Sequence, residues 1–169
     1  MLVIKEEELK TILPPDGPST EEVKKSSEKY NNEYIVIKCG GSVLIDQNLF
    51  DIFIQDISIL NKLGFIPIII HGGGKRISIK LNEAGIKSNF IDGLRVTDKK
   101  SINIVEEVLN IFNKEITDAL KKNHCDSQGI TNQQNNILIV QQENVKLGYV
   151  GAPKEIRKSI IEQIVKEKK

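Results

Sequence analysis

The chain has 169 residues, of which 39% are hydrophobic, so it is long enough to bury the core of one ordinary domain. Its 24 lysines and arginines against 23 aspartates and glutamates leave a net charge of +1, which argues against nucleic acid as a partner. The N-terminus shows no signal peptide and no apolar run long enough to cross a membrane, and the two cysteines lie far apart. We therefore expect a reduced, cytoplasmic protein without a zinc site.

Residues 1–33 form an N-terminal extension that differs from the rest of the chain. Met1–Ile4 is apolar, a proline-rich breaker cluster follows, and Ser19–Lys29 is a charged, weakly amphipathic helix candidate. Ser19 or Thr20 can cap that helix. Two interpretations stay open: a flexible arm or linker, and a helix used for oligomerisation.

Two short apolar runs that each end in glycines organise the next part of the chain. Tyr34–Lys38 is followed by Gly40 and Gly41, and Ile66–Ile70 is followed by the glycines Gly72–Gly74. A β-branched run bounded by glycine predicts a buried strand. Turns that follow neighbouring parallel strands face the same edge of a sheet, where open α/β sheets bind ligands. We therefore expect a site for one anion, or for two side by side.

Amphipathic spacing predicts three helices after these strands: Gln47–Leu63, Lys75–Ala84 and a long one that reaches about Lys122. Asp46 can cap the first of them, and Thr97 or Asp98 the third. The stretch Phe90–Asp98 is predicted as a connection with Gly93 at its centre.

The last part of the chain is predicted as short strands and a final helix. The elements are a strand over Cys125–Thr131, a polar turn at Asn132–Asn136, a strand over Ile137–Gln141, a second hairpin arm over Val145–Gly151 and a helix over Lys154–Lys168. Alternating strands and helices predict the α/β class, as a three-layer α/β/α sandwich with a mostly parallel open sheet and a β-hairpin.

Three features carry chemistry, although neither a P-loop nor a complete GxGxxG motif is present. Lys38 ends a strand, where its ammonium can neutralise a transferring phosphoryl group or lie along the sheet edge. The turn Gly72–Gly74 can offer backbone N–H groups to an anion or be a tight turn without a ligand. Arg95 can present its planar fork to a carboxylate or be an ordinary surface arginine.

Five motifs, in order and at similar spacing, resemble the amino acid kinase family and within it the acetylglutamate kinase branch. They are Lys38–Ser42 (KCGGS), His71–Gly74 (HGGG), Gly93–Asp98 (GLRVTD), Asn113–Glu115 (NKE) and Leu147–Gly151 (LGYVG). The first is shared by many members of the family. HGGG followed by GLRVTD is more specific, and it also resembles the kinase-like domain of acetylglutamate synthases.

The resemblance implies six site residues: catalytic Lys38, phosphoryl-lining Gly40 and Gly41, and substrate-binding Gly73, Gly74 and Arg95. It implies transfer of the γ-phosphoryl group of ATP, with Mg²⁺, to the side-chain carboxylate of N-acetyl-L-glutamate in arginine biosynthesis. No protein metal ligand is predicted. A homo-oligomer is expected, because members of this family are commonly dimeric or hexameric.

The resemblance covers residues 34–169, which correspond to the amino-acid-binding lobe of the family. The ATP-binding lobe that follows it in family members has no counterpart here, so activity is expected to need a complementary lobe from another chain. Two alternatives stay open. One is a non-catalytic acetylglutamate-binding or regulatory module related to the synthase domain. The other is an interaction module that uses an exposed sheet edge.

Overall fold

A computed structural model describes residues 5–41 and 45–167. The expectations for Met1–Ile4, for Ser42 and for the end of the last helix at Lys168 lie outside the described residues. The helices are α1 (Glu6–Ile12), α2 (Thr20–Lys29), α3 (Gln47–Lys62), α4 (Gly74–Glu83), α5 (Lys99–Lys122), α6 (Asn132–Asn135) and α7 (Lys158–Glu167). The strands are β1 (Tyr34–Cys39), β2 (Ile66–His71), β3 (Phe90–Ile91), β4 (Leu94–Arg95), β5 (Leu138–Gln142) and β6 (Gly151–Ile156).

The predicted α/β class is confirmed, because the chain contains helices, a parallel strand pair and a β-hairpin. In the described residues the strands form three two-stranded sheets: β1–β2 parallel, and β3–β4 and β5–β6 antiparallel. The described chain divides into two compact units. The first runs up to Gly72 and includes Ile116–Ser127, and the second comprises Gly73–Glu115 and Gln128–Lys169.

The first unit contains the parallel pair, in register from Tyr34 opposite Ile66 to Cys39 opposite His71. Helix α3 packs against β2. As predicted, its start is capped by Asp46, whose carboxylate accepts a hydrogen bond from the Leu49 N–H at 3.1 Å. The predicted pairing of two strands that both end in glycine turns is therefore confirmed.

Residues 5–33 of the first unit form α1 and α2, and only α2 was predicted. Ser19 caps α2 in a capping box with Glu22. On α1, Leu9 is fully buried, and Glu8 forms an ion pair with Lys62 of α3 at 2.6 Å. Helix α1 escaped prediction because its seven residues are mostly charged and too short to show a clear period. A separate role for the extension in oligomerisation stays a prediction.

The second unit is built on α4 and the first part of α5. Its core joins Ile77 and Leu81 of α4 to Val108 of α5, with partly buried Ile86, Ile104, Val105 and Leu109 around them. A Cβ on Gly73 would lie 2.8 Å from Leu109 Cδ2, so a side chain at that position would require the end of the Leu109 side chain to move. Asp98 caps α5 by accepting from the backbone N–H groups of Lys100 and Ser101.

The stretch predicted as a connection between α4 and α5 contains a hairpin instead. Strands β3 and β4 pair around Asp92 and Gly93, whose φ angles are 49° and 81°. Asp-Gly is the sequence that a two-residue turn with two positive φ angles favours. The hairpin places Phe90 opposite Arg95.

Three predictions for the last part of the chain are wrong in detail. Cys125–Thr131 forms no strand, because the Cys125 N–H folds back onto the Leu120 carbonyl and closes the end of α5. The hairpin is confirmed, but its second arm is β6 rather than Val145–Gly151. Pro153 lies within β6, opposite Val140 at a register shift, where a residue without an N–H is tolerated. Helix α7 consequently begins at Lys158 rather than Lys154.

Candidate anion-binding site

The start of α4 presents backbone donors. The first amide bonded within the helix is that of Ile77, which donates to the Gly73 carbonyl at 2.8 Å. Helix geometry leaves the preceding N–H groups without intrahelical acceptors, and no side chain caps this end. Gly74 is exposed, and a Cβ there would meet nothing within 4 Å. The chain is therefore open to close approach at the positive end of the helix.

Arg95 reaches this helix start from the β3–β4 hairpin. Its Nη2 donates to the Gly74 carbonyl at 3.1 Å and to Ser78 Oγ at 2.8 Å, and its Nη1 donates to Ser88 Oγ at 2.5 Å. Its Cζ lies 4.7 Å from the centre of the Phe90 ring, in a cation–π contact. The second unit therefore brings together Gly74 and Arg95, two of the residues predicted to bind substrate.

Arg95 differs from the other two arginines of the chain in the charge of its partners. Arg76 pairs with Glu115 at 2.5 Å, and Arg157 lies 3.7 Å from Glu155. Within residues 5–41 and 45–167, Arg95 has only neutral oxygen acceptors and no carboxylate within ion-pair distance. Partial burial lowers the pKa of Arg95, although an arginine stays a cation at neutral pH. This half-buried cation is thus suited to an anionic ligand.

The segment after Arg95 is fixed by backbone contacts with the loop before β6. The Thr97 N–H donates to the Leu147 carbonyl at 2.9 Å, and the Tyr149 N–H donates to the Thr97 carbonyl at 2.8 Å. Gly148 lies between them, and a Cβ there would come within 2.3 Å of the Thr97 carbonyl oxygen. The Leu147–Gly151 motif therefore serves to hold the chain immediately after Arg95.

Ser78 and Ser88 also line a cavity of about 460 Å³, with Asn82, Gly85, Ile86 and Lys87 as its other lining residues. The lining carries one cation, Lys87, and no carboxylate. The two serines were not identified from the sequence. Neither lies in a motif, and they meet Arg95 only because α4 and the segment before β3 come together in the fold.

Of the other predicted site residues, Gly73 lies in the second unit as the N-cap of α4, and Lys38, Gly40 and Gly41 lie in the first unit. Lys38 is exposed on β1, and Gly40 and Gly41 follow the strand, with open space where a Cβ would stand. The Gly72 N–H donates to the Cys39 carbonyl at 3.3 Å, which brings the two glycine turns to the same edge of the parallel pair. That Lys38, Gly73 and Arg95 together bind one small acidic ligand stays a prediction.

Two further findings concern the described residues. They contain no group of three or more His, Cys, Asp or Glu residues placed to hold a metal ion. None of their helices has the length and the apolar character needed to cross a membrane.

Comparison with known proteins assigns the family. The amino acid kinase family matches residues 33–169, and the chain belongs to that family. An acetylglutamate kinase from Pelagibacter ubique (strain HTCC1062) is 60% identical over 169 residues, which is all of this chain and 59% of that protein. An acetylglutamate kinase from Campylobacter fetus subsp. fetus (strain 82-40) is 39% identical over 142 residues, which is 83% of this chain and 51% of that protein.

Solved structures show the same fold. The protein smu.665 from Streptococcus mutans UA159 superposes with a TM-score of 0.67 at 26% identity, covering 80% of this chain and 56% of that one. An N-acetylglutamate synthase from Neisseria gonorrhoeae, solved with coenzyme A and L-arginine, gives a TM-score of 0.65 at 17% identity over 87% of this chain and 36% of its own. The synthase likeness concerns the fold alone. The chain spans between half and three fifths of the two kinase relatives described above.

Proposed function

We propose that this chain binds N-acetyl-L-glutamate as the amino-acid-binding part of an acetylglutamate kinase. The observation that carries the proposal is Arg95, a partly buried cation whose hydrogen-bond acceptors in the described residues are all neutral. It lies against the first turn of α4, whose positive end also favours a carboxylate. The two kinase relatives, at 60% and 39% identity, are both named for this substrate.

Within the second unit, two kinds of group would bind the substrate. The backbone N–H groups of Gly73 and Gly74 would donate to one part of it, and the Arg95 guanidinium would pair with one of its carboxylates. Two of the five N–H donors of a guanidinium stay available here, since three are used in the contacts with Ser78, Ser88 and Gly74. We also propose that residues 1–33 are an N-terminal extension and that residues 34–169 are the substrate-binding lobe.

The proposed reaction transfers the γ-phosphoryl group of ATP to the side-chain carboxylate of N-acetyl-L-glutamate. A carboxylate is already ionised at neutral pH, so the reaction needs no general base. Positioning and charge stabilisation then suffice. Lys38 would stabilise negative charge on the transferring group, and the N–H groups of Gly40 and Gly41 would line its path.

The residues described here do not offer a built site for Mg²⁺, because no three acidic or histidine side chains converge among them. Mg²⁺ is commonly held by nucleotide phosphates with few protein ligands. We assign Mg²⁺ to ATP, and we propose that a complementary lobe binds ATP, as the family resemblance implies. A homo-oligomer is the proposed assembly.

Isothermal titration with N-acetyl-L-glutamate tests the proposal. Wild-type protein should bind, and Arg95→Ala should weaken binding at least tenfold, the scale of a lost charged hydrogen bond. Arg157→Ala is the matched control, since Arg157 already pairs with Glu155 and should leave the affinity unchanged. Equal affinities for wild type and Arg95→Ala would refute the assignment. Absence of binding by wild type would refute the function itself.

A further inference from the structure

The guanidinium of Arg95 is held from two separate elements. Ser78 lies on α4, one turn after Gly74, and Ser88 lies in the segment that leads into β3. Both hydroxyl oxygens accept hydrogen bonds from Arg95, one on each terminal nitrogen. Phe90 covers one face of the guanidinium plane. A long, flexible side chain is thereby held at three points around its charged end.

The direction of the Ser78 hydrogen bonds makes its contact with Arg95 specific. Its hydroxyl donates to the Gly74 carbonyl at 3.0 Å, so its single proton is already used. Its oxygen therefore faces Arg95 only as an acceptor. The Gly74 carbonyl accepts from Arg95 as well, which closes a three-membered network of Arg95, Ser78 and Gly74. This network ties the guanidinium to the first turn of α4.

We propose that Ser78 and Ser88 are positioning residues that hold the Arg95 guanidinium in a binding-ready orientation. The identity of the anion, N-acetyl-L-glutamate, rests on the proposed function, whereas the immobilisation of Arg95 does not. A free arginine side chain loses rotamer freedom when it binds a ligand, and this loss weakens affinity. The two serines impose that order before the ligand arrives.

Arginine side-chain NMR tests the immobilisation directly. The chain has three arginines, Arg76, Arg95 and Arg157, so ¹⁵N-arginine labelling gives three Nε–Hε signals that single substitutions can assign. In wild type, rotation about the Arg95 Nε–Cζ bond, which exchanges its two Nη groups, should be slow, because each Nη donates to a different serine. In the Ser78→Ala/Ser88→Ala double variant, the rate of this exchange should rise to that of an exposed arginine. An Arg95 exchange rate that stays equally slow in the double variant would overturn the proposal.

Titration with N-acetyl-L-glutamate supplies the second measurement. The double variant should bind about two- to tenfold more weakly, the scale expected for ordering one flexible side chain on binding. Ser78→Thr/Ser88→Thr keeps both hydroxyls and should restore slow exchange and affinity. Ser159→Ala, an exposed serine on α7, is the control and should change neither. Wild-type affinity in the double variant would also overturn the proposal.

The two measurements separate failure of this inference from failure of the proposed function. If wild type does not bind N-acetyl-L-glutamate, the proposed function fails, and the exchange rate of Arg95 still decides whether the serines position it. If wild type binds and the double variant matches it in exchange or in affinity, only the positioning role fails. Backbone amide spectra establish that each variant is folded.

Discussion

Replacing Gly148 by alanine tests how strongly the segment after Arg95 is fixed. Gly148 has φ 71° and ψ −120°, a conformation that is readily available only to glycine. An added Cβ would lie 2.3 Å from the Thr97 carbonyl oxygen. That oxygen belongs to backbone, not to the end of a flexible side chain, and Thr97 is 5% exposed. The strain cannot be relieved by a rotamer change.

The magnitude follows from two contributions. Holding alanine in this backbone region costs roughly 1–3 kcal/mol. Moving the Thr97 carbonyl away also weakens two hydrogen bonds, from the Tyr149 N–H to the Thr97 carbonyl and from the Thr97 N–H to the Leu147 carbonyl. Each of them is worth about 0.5–1.5 kcal/mol. Gly148→Ala should therefore lower the free energy of unfolding by about 2–6 kcal/mol.

Urea unfolding followed by circular dichroism measures this loss. Gly85→Ala is the matched control, because Gly85 has the same φ of 71° but no heavy atom within 4 Å of its Cβ position. The control should lose only about 1–2 kcal/mol, the cost of a positive φ. Equal losses for the two variants would refute the claim that the contact with Thr97 fixes this segment.

Three further predictions concern other parts of the chain. Burial lowers the pKa of His71 below its ordinary 6.5, so the unfolded chain takes up a proton there before the folded chain does. Stability should thus fall as pH drops below about 6.5, and His71→Gln should reduce that fall in urea midpoints measured from pH 7.5 to 5.5, whereas a fall of the same size in His71→Gln would show that His71 does not cause it. Arg76→Met should cost about 1 kcal/mol of unfolding free energy through loss of the ion pair with Glu115 and of the cation–π contact with the Phe112 ring, and an unchanged midpoint would show that these two contacts together contribute nothing. Lys38→Ala should abolish phosphoryl transfer in the assembled enzyme and leave N-acetyl-L-glutamate affinity intact, so retained turnover would remove Lys38 from the catalytic role.

Local signals made much of the fold predictable. The β-branched run before Gly40 identified β1, and the side chain of Asp46 marked the start of α3 because an N-cap is decided by neighbouring backbone. The Asp92-Gly93 dipeptide is an equally local hairpin signal, although the stretch Phe90–Asp98 was predicted as a connection. Pro153 immediately precedes the predicted helix start at Lys154, but it lies within β6, since proline is compatible with an edge strand as well as with a helix start.

The candidate site was less predictable than the fold. Arg95 and Gly74 were identified because motif residues keep their spacing along the chain. Ser78 and Ser88 were not identified from the sequence because they belong to no motif and follow no periodic pattern. Their role depends on which arginine the fold brings close to them. Contacts between residues distant in sequence are set by packing, and single-sequence patterns do not report packing.

The most direct test of the account is a titration of ¹⁵N-labelled protein with N-acetyl-L-glutamate, followed by two-dimensional NMR. The account predicts that the backbone amides of Gly73 and Gly74 and the Nε–Hε signal of Arg95 shift together along one saturation curve, and that Arg95→Ala removes the shifts. The account would be contradicted if saturable shifts appeared only at other residues, or if no signal shifted at all.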